Sequence, residues 1–261
     1  VEAGLRTGNL WSPWPEEFNR RLTALVAHLH FAPTESAESN LIAEGVPSHS
    51  IEVTGNTVID ALIQISGRLT RDEALCSPLR AHFPFLKNDR RTILVTGHRR
   101  ENFGSGMLQI CNGLLSLSDR EDIQIVYSVH LNPNVKTPVE NMLRGKSNIY
   151  LIPPQDYLSF VFLMMHSHII LTDSGGIQEE APSLGKPVLV MREVTERPEA
   201  VLAGTAKLVG ANFKNIVDSV NDLLDNPNAY DSMSCRSNPY GDGTASIRIA
   251  DKVEAFLRGL R

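Results

Sequence analysis

The segment from Thr172 to Ala181 carries the pattern of an anion-binding turn. It reads Thr-Asp-Ser-Gly-Gly-Ile-Gln-Glu-Glu-Ala and directly follows a short apolar run. Ser174 is placed to begin a helix, and Gly175 and Gly176 would let a ligand approach the backbone closely. Free N–H groups and the helix dipole at such a start favour a diphosphate. Glu180 lies one helical turn after Gly176, where it could accept hydrogen bonds from a ribose diol beside the diphosphate. Taken alone, the segment fits an ordinary strand-to-helix turn equally well. Because the acidic pair Glu179 and Glu180 follows at the right offset, we favour a functional role.

A second polar loop, residues 97–102, follows another apolar run and reads Gly-His-Arg-Arg-Glu-Asn. His98 could exchange protons near neutral pH. Arg99 or Arg100 could bind a phosphate with the two arms of the guanidinium. The alternative is a solvated loop with an Arg–Glu pair, and for Arg100 and Glu101 we favour that alternative. For His98 we favour a functional role, because the preceding glycine permits close approach.

Three further positions are candidates with a structural alternative each. Arg197 stands just before a helix predicted to begin at Pro198, where it could face a phosphate or pair with Glu196. Phe160 could stack on a base, although an aromatic residue at helical spacing more often belongs to the core. His130 follows an apolar run and could line a pocket or close a capping loop.

For two glutamates near the start of the sequence, residue type and position do not by themselves indicate a catalytic role. Glu2 is a lone acid, and Glu16 with Glu17 begins a predicted helix, where acidic residues are favoured by the helix dipole.

The elements that must position these residues are regular from residue 90 onward. Segments with helical spacing alternate with apolar runs, which predicts a parallel sheet covered on both faces and a Rossmann-like, doubly wound α/β fold. Ligands of such folds bind beyond the carboxyl ends of the strands. The predicted strands are Thr92–Thr96, Ile123–Val129, Ile149–Ile152, Ile169–Thr172, Val188–Met191 and Lys207–Val209. The clearest helices between them are Met107–Leu117, Tyr157–His166 and Ile216–Leu224.

The first 55 residues differ from the rest in carrying too few strands for a sheet of their own. They predict a helix at Glu16–His28, a strand at Phe31–Pro33 and a helix at Glu35–Gly45. We expect three parts: residues 1–55 as the remnant of an N-terminal Rossmann-like domain, residues 56–243 as a second such domain, and residues 244–261 as a helix returning toward the first. Because the sequence opens with Val1 in what resembles the end of a strand, we expect a truncated chain.

Composition excludes several classes of function. The 261 residues carry a formal charge of -5 with no Lys/Arg run, which argues against nucleic acid. The longest apolar stretch, Ile149–Met165, is interrupted by Pro153 and Pro154, so no membrane span is expected. Three widely spaced cysteines predict a reducing compartment and neither a disulfide framework nor a metal site.

Six multi-residue segments, in order along the chain, resemble the non-hydrolysing UDP-N-acetylglucosamine 2-epimerases. They are Val1–Gly8, Ser12–Arg20, Thr54–Asp60, Gly97–Asn102, Asp173–Glu180 and Thr195–Glu199. The resemblance implies two Rossmann-like domains of the glycosyltransferase-B arrangement and the interconversion of UDP-GlcNAc and UDP-ManNAc. It further implies a cytoplasmic homodimer that uses no metal or nicotinamide cofactor and serves surface polysaccharide synthesis.

The resemblance also implies roles for individual residues. Glu2, Glu16 and His98 match residues that the family uses in catalysis. The matches for UDP binding are Arg99, Phe160, Ser174, Gly175, Gly176, Glu180 and Arg197. His130 resembles a region where bacterial members bind a second, activating UDP-GlcNAc. Family members also carry a segment before the Val1–Gly8 motif, with a phosphate-contacting basic loop and a catalytic aspartate.

The chemistry implied by the family needs residues of these types. As the C1–oxygen bond to UDP breaks, the C2 proton becomes acidic, so elimination gives UDP and 2-acetamidoglucal; re-addition with protonation on the opposite face inverts C2. We expect the chain to bind UDP through residues 56–235 and to turn over only with the missing segment. The alternatives are a UDP or UDP-sugar binding module without catalysis, a retaining UDP-sugar transferase of the same architecture, and a hydrolysing relative that releases ManNAc.

Overall fold

The computed structural model of the protein describes residues 3–11, 14–86 and 89–259, which form two compact units. The smaller unit comprises the described residues up to Gln64 together with those from Asn238 onward, and the larger comprises Ile65–Ser237.

The helices and strands alternate along most of the chain. The strands are β1 His30–Ala32, β2 Ile51–Val53, β3 Arg91–Gly97, β4 Ile123–Val129, β5 Ile149–Ile152, β6 Ile169–Thr172, β7 Val188–Val190 and β8 Ala206–Leu208. The helices are α1 Glu16–Val26, α2 Glu35–Ala43, α3 Thr57–Arg71, α4 Glu73–His82, α5 Ser105–Leu117, α6 Pro133–Leu143, α7 Tyr157–Met165, α8 Gly175–Glu180, α9 Pro198–Leu202, α10 Phe213–Asp225, α11 Pro227–Ser234 and α12 Ala245–Gly259. Short 3-10 turns lie at Ser48–Ser50, Arg100–Asn102 and Ala181–Leu184.

The smaller unit is built on a two-stranded parallel sheet. β1 pairs with β2 in a register that sets Phe31 opposite Glu52. The hydroxyl of Thr34 caps α2 by accepting a hydrogen bond from the N–H of Ala37 at 3.2 Å. The helix then buries Leu41 against the sheet. β1 and α2 lie within two residues of the predicted strand and helix, whereas β2 was not predicted because three residues that include a glutamate carry too weak a strand pattern.

The helix α12 belongs to this smaller unit and is anchored by residues that follow β2. The Asp60 carboxylate accepts hydrogen bonds from the first backbone N–H groups of α12, at 3.2 Å from Ala245 and 2.7 Å from Ser246. Gly55 faces Gly241 so closely that a Cβ on Gly55 would lie 3.2 Å from the Gly241 Cα. The segment Thr54–Asp60, which was singled out by resemblance, therefore anchors α12.

The larger unit is a six-stranded parallel sheet in the order β5-β4-β3-β6-β7-β8. β4 is buried along its whole length. Ile93 and Ile125 pack into one apolar cluster with α5, α6 and α10, while Leu94 and Val126, which point the other way, are also fully buried. Both faces of the sheet are thus covered, which explains the nearly continuous apolar strands and confirms the predicted α/β fold with a parallel sheet.

The centre of this sheet is a topological switch point. β3 and β6 are neighbours, but the chain winds from β3 toward β4 on one side and from β6 toward β7 on the other. Thr96 near the end of β3 pairs in register with Thr172 at the end of β6. The loops that follow these two strands therefore open side by side at the carboxyl edge, where doubly wound sheets bind ligands.

None of the helices in the described residues combines the length and apolar character that crossing a bilayer requires.

Candidate functional site

The two loops at the switch point are joined by one buried carboxylate. Asp173, fully buried after β6, accepts hydrogen bonds from the backbone N–H groups of His98 and Arg99, each at 2.9 Å from Oδ2. The amide of Asn102 donates to the same oxygen at 3.2 Å. The conformation of the loop after β3 therefore depends on an acid that lies more than seventy residues later in the chain.

Two histidines from neighbouring strand ends meet beside this carboxylate. The ring of His98 stacks on that of His130, with 5.5 Å between centroids and 25° between the planes. His98 Nδ1 lies 3.4 Å from Asp173 Oδ1. His130 Nδ1 accepts a hydrogen bond from the N–H of Asn132 at 3.1 Å, which leaves Nε2 as its second polar atom. The structure thus brings together two residues for which the sequence predicted separate roles.

The start of α8 is formed by Ser174, Gly175 and Gly176. Ser174 occupies the N-cap position, but its side chain makes no capping hydrogen bond, in contrast to the expected hydroxyl cap. Instead, the Ser174 N–H donates to the Thr172 hydroxyl at 3.0 Å. Gly176 in the first turn is exposed.

Arg197 lies over this helix start. A Cβ on Gly175 would be 3.8 Å from the Arg197 guanidinium carbon. The guanidinium is held by the carboxylate of Glu179 through Nε, and its Nη1 donates to the backbone oxygen of Glu196 at 3.1 Å. Arg197 therefore does not pair with the Glu196 side chain, as the sequence alternative had it; that carboxylate lies 3.7 Å from Arg192 instead.

Glu180 closes the other side of the helix start. Its Oε2 accepts a hydrogen bond from the Tyr157 hydroxyl at 2.6 Å, and its Oε1 would be 3.8 Å from a Cβ on Gly176. Burial raises the pKa of the Glu180 carboxyl, while the hydrogen bond from Tyr157 opposes that rise. Burial and the Glu180 contact likewise raise the pKa of Tyr157, so its hydroxyl stays a donor. The guanidinium of Arg197 and the carboxylate of Glu180 thus lie on either side of Gly175 and Gly176, which carry no side chains.

The sequence matches the UDP-N-acetylglucosamine 2-epimerase family over residues 1–254. A probable UDP-N-acetylglucosamine 2-epimerase from Ralstonia solanacearum is 59% identical over 258 residues, which are 98% of this chain and 69% of the relative. The Escherichia coli K12 enzyme of that name is 56% identical over 255 residues, 97% of this chain and 68% of its own. The chain belongs to the UDP-N-acetylglucosamine 2-epimerase family. Members of this family are isomerases.

Solved structures agree with this family assignment. The Neisseria meningitidis UDP-GlcNAc 2-epimerase, solved with UDP-GlcNAc bound, superposes with a TM-score of 0.90 at 51% identity, covering 98% of this chain and 69% of that one. A Staphylococcus aureus co-structure of MnaA with UDP gives 0.87 at 46% identity, covering 99% and 68%. The wall teichoic acid polymerase TagF, at 15% identity and a TM-score of 0.58, shares the fold only.

Phe160 and Glu16, which the epimerase resemblance also picked out, lie on helices of the larger and the smaller unit, respectively. Phe160 is half-buried on α7, three residues after Tyr157 and so on the same side of that helix. Glu16 is exposed as the first residue of α1 in the smaller unit, and Glu2 lies outside the described residues.

Arg99 sits where the switch-point loop turns away from β3. Its backbone is held by Asp173, its Nη1 lies 4.0 Å from Glu196, and its buried Nε has no hydrogen-bond partner among the described residues. Glu101 pairs with the buried Arg192 at 2.6 Å, so the Arg–Glu pair expected of this loop is formed with a distant arginine instead of Arg100.

Four residues with clear structural roles in these sites were missed by sequence reasoning. Asp173, Glu179 and Tyr157 organise the larger unit as described above. Glu17 is fully buried beside the exposed Glu16, and its carboxylate accepts the N–H of Thr7 at 3.1 Å. The available signal was an acid directly after a buried strand for Asp173 and the first helical position for Tyr157; nothing local marks Glu17.

The described residues contain no group of three or more His, Cys, Asp or Glu side chains arranged to hold a metal ion.

Proposed function

We propose that this chain binds UDP-GlcNAc through the larger unit and takes part in its interconversion with UDP-ManNAc. The observation that carries the proposal is the start of α8, where Arg197 and Glu180 stand on either side of Gly175 and Gly176. Relatives at 51% and 46% identity were solved with UDP-GlcNAc and with UDP, which supports the same ligand class here.

In this proposal the diphosphate lies against the N–H groups of Gly175 and Gly176 and the hydroxyl of Ser174, whose own N–H donates to Thr172. The free backbone donors and the helix dipole favour negative charge at that point. The Arg197 guanidinium, held in place by Glu179, adds a cation over the same turn. Arg99 supplies a second guanidinium from the loop after β3.

The same arrangement also indicates which residues would contact the nucleoside. Glu180 accepts hydrogen bonds from the ribose diol, and Phe160, on the same side of α7 as Tyr157, lies by the uracil ring. Every one of these residues belongs to the larger unit.

The reaction then requires two things of the protein: it must retain UDP, and it must transfer the C2 proton. The C1–oxygen bond breaks with its electron pair going to the UDP β-phosphate, and a base takes the C2 proton, leaving 2-acetamidoglucal. The N–H groups at the start of α8 stabilise the negative charge that develops on UDP, and they retain UDP for re-addition. Glu2 and Glu16 are proposed to exchange the proton on the two faces of C2, with His98 as a third participant and His130 as part of an activating second site.

A cytoplasmic location, a homodimeric assembly and a place in surface polysaccharide synthesis belong to the same proposal and rest on the family resemblance.

The deciding experiment measures binding and turnover separately. UDP is titrated into the 261-residue chain by calorimetry, and UDP-GlcNAc is then followed by NMR for UDP-ManNAc. Saturable UDP binding that is lost in Arg197→Ala supports the nucleotide site, and formation of UDP-ManNAc assigns the whole reaction to this chain. A folded chain that does not bind UDP would refute the proposal. UDP binding without UDP-ManNAc would limit it to nucleotide recognition, and free ManNAc would instead indicate a hydrolase.

A further inference from the structure

The carboxylate of Glu180 has two oxygens in different surroundings. Oε2 is 2.6 Å from the Tyr157 hydroxyl, whereas Oε1 lies over Gly176, at the exposed first turn of α8. A carboxylate on a flexible side chain samples several rotamers unless something fixes it. The short hydrogen bond to a tyrosine on a different helix is such a fixing contact, because it ties α8 to α7.

Tyr157 is itself firmly placed. It is the first residue of α7, whose N-terminus is capped by Asp156 through a 2.8 Å hydrogen bond from the N–H of Ser159. The aromatic ring is rigid and has few torsions, so its hydroxyl is a donor at a fixed point.

We propose that Tyr157 is a positioning residue that sets ribose recognition by holding Glu180 with Oε1 turned toward the ligand. The inference rests on the proposed function, since it takes Glu180 as the group that meets the ribose diol. It makes the preference for a ribonucleotide depend on a residue that need not touch the nucleotide.

The charge state of Glu180 supports the same role. An ionised carboxylate is an acceptor only and can receive both diol hydroxyls. Burial raises the pKa of Glu180 and the neighbouring charge of Glu179 adds to the rise, while the hydrogen bond from Tyr157 lowers it. Removing the Tyr157 hydroxyl would therefore both free the carboxylate to rotate and favour its protonated form.

The test compares UDP with 2′,3′-dideoxy-UDP, which lacks the diol but keeps the base and diphosphate. Calorimetry gives both dissociation constants for the wild type, Tyr157→Phe and a matched control, Tyr230→Phe. Tyr230 is a half-buried tyrosine on α11 whose hydroxyl donates to the backbone oxygen of His168 at 3.3 Å, away from α8. Because 39% of Tyr157 is exposed, the Phe variant is expected to fold, and a thermal midpoint checks this.

Tyr157→Phe is expected to weaken UDP about tenfold, the lower range for a hydrogen bond to a charged group, and to leave dideoxy-UDP within about twofold. The wild-type preference for the diol should therefore collapse in Tyr157→Phe and persist in Tyr230→Phe. In a Glu180→Ala background, adding Tyr157→Phe should change nothing further, because the two residues act as a unit.

Three outcomes would overturn the inference while leaving UDP binding intact. These are an unchanged diol preference in Tyr157→Phe, an equal loss for both nucleotides, and tighter UDP binding, which would mean that Tyr157 competes with the ribose. If the wild type binds no UDP, the proposed function itself fails and this inference with it.

Discussion

At the scale of single residues, the start of α8 carries two glycines that its backbone conformation does not require. Gly175 and Gly176 are helical, and neither has a positive φ. A Cβ on Gly176 would meet only the Glu180 carboxylate, at an ordinary 3.8 Å. The fold would therefore accept alanine here, and a glycine at this position fits the proposed close approach of a diphosphate.

Gly176→Ala is expected to separate stability from binding. Replacing a helical glycine by alanine should raise the free energy of unfolding by up to about 1 kcal/mol. The added methyl group occupies the proposed diphosphate cradle and should weaken UDP at least about tenfold, roughly 1.4 kcal/mol. Urea unfolding and calorimetry measure the two effects on the same sample. Gly259→Ala, near the end of α12 with open space around its Cα, is the matched control and should leave UDP binding unchanged. UDP binding by Gly176→Ala as tight as that of the wild type would remove this turn from the nucleotide site.

At the scale of elements, carboxylates join segments that the sequence keeps far apart. Asp173 ties the end of β6 to the loop after β3, and Asp60 ties α3 to the start of α12. Each satisfies two or more backbone N–H groups that would otherwise lack a partner.

Asp173→Asn is expected to lower the free energy of unfolding by about 1–3 kcal/mol, because the amide cannot accept from all the donors that converge on the carboxylate. Asp119→Asn, an exposed acid after α5, is the control and should stay within about 0.5 kcal/mol of the wild type. Urea denaturation provides both values. Equal stabilities would show that the three donors of the loop find other partners.

Asp60→Ala is expected to destabilise the docking of α12 by about 0.5–2 kcal/mol, the usual range for loss of an N-cap acceptor. Asp251→Ala, exposed on α12 itself, is the matched control. Hydrogen exchange at Ala245 and Ser246 locates the effect, since those two N–H groups donate to Asp60. Unchanged protection of these amides in Asp60→Ala would contradict the assignment.

Elements were more predictable than the contacts between them, for a physical reason. Ile123–Val129 and Ile169–Thr172 were predicted with the observed bounds, because strands buried on both faces must be apolar throughout. α6 was not predicted, since Pro133 and Pro138 break the helical pattern. The pairing of Tyr157 with Glu180 spans 23 residues and depends on how α7 and α8 pack, which no local spacing encodes.

At the scale of the whole molecule, the proposed nucleotide contacts and the proposed proton transfer involve different units. The residues proposed to bind UDP lie within Ile65–Ser237, and Glu16 is exposed in the smaller unit. Substitutions should therefore be able to abolish UDP binding and proton transfer separately. Glu16→Gln should leave the UDP dissociation constant within about twofold, because it alters no residue of the larger unit. It should abolish the incorporation of solvent deuterium at C2 of UDP-GlcNAc, which reports the proton exchange directly.

The adjacent glutamate provides an informative contrast to Glu16. Glu17 is buried and holds the N–H of Thr7, and Arg21 lies 3.4 Å from it, so Glu17→Gln should lower the thermal midpoint. Glu16→Gln should not, because its side chain is exposed at a helix start, where the charge contributes at most about 1 kcal/mol. A loss of deuterium exchange with the midpoint and the UDP affinity unchanged would therefore assign Glu16 to the chemistry. Exchange that persists in Glu16→Gln at the wild-type rate would exclude Glu16 from the proton transfer, whatever the family resemblance implies.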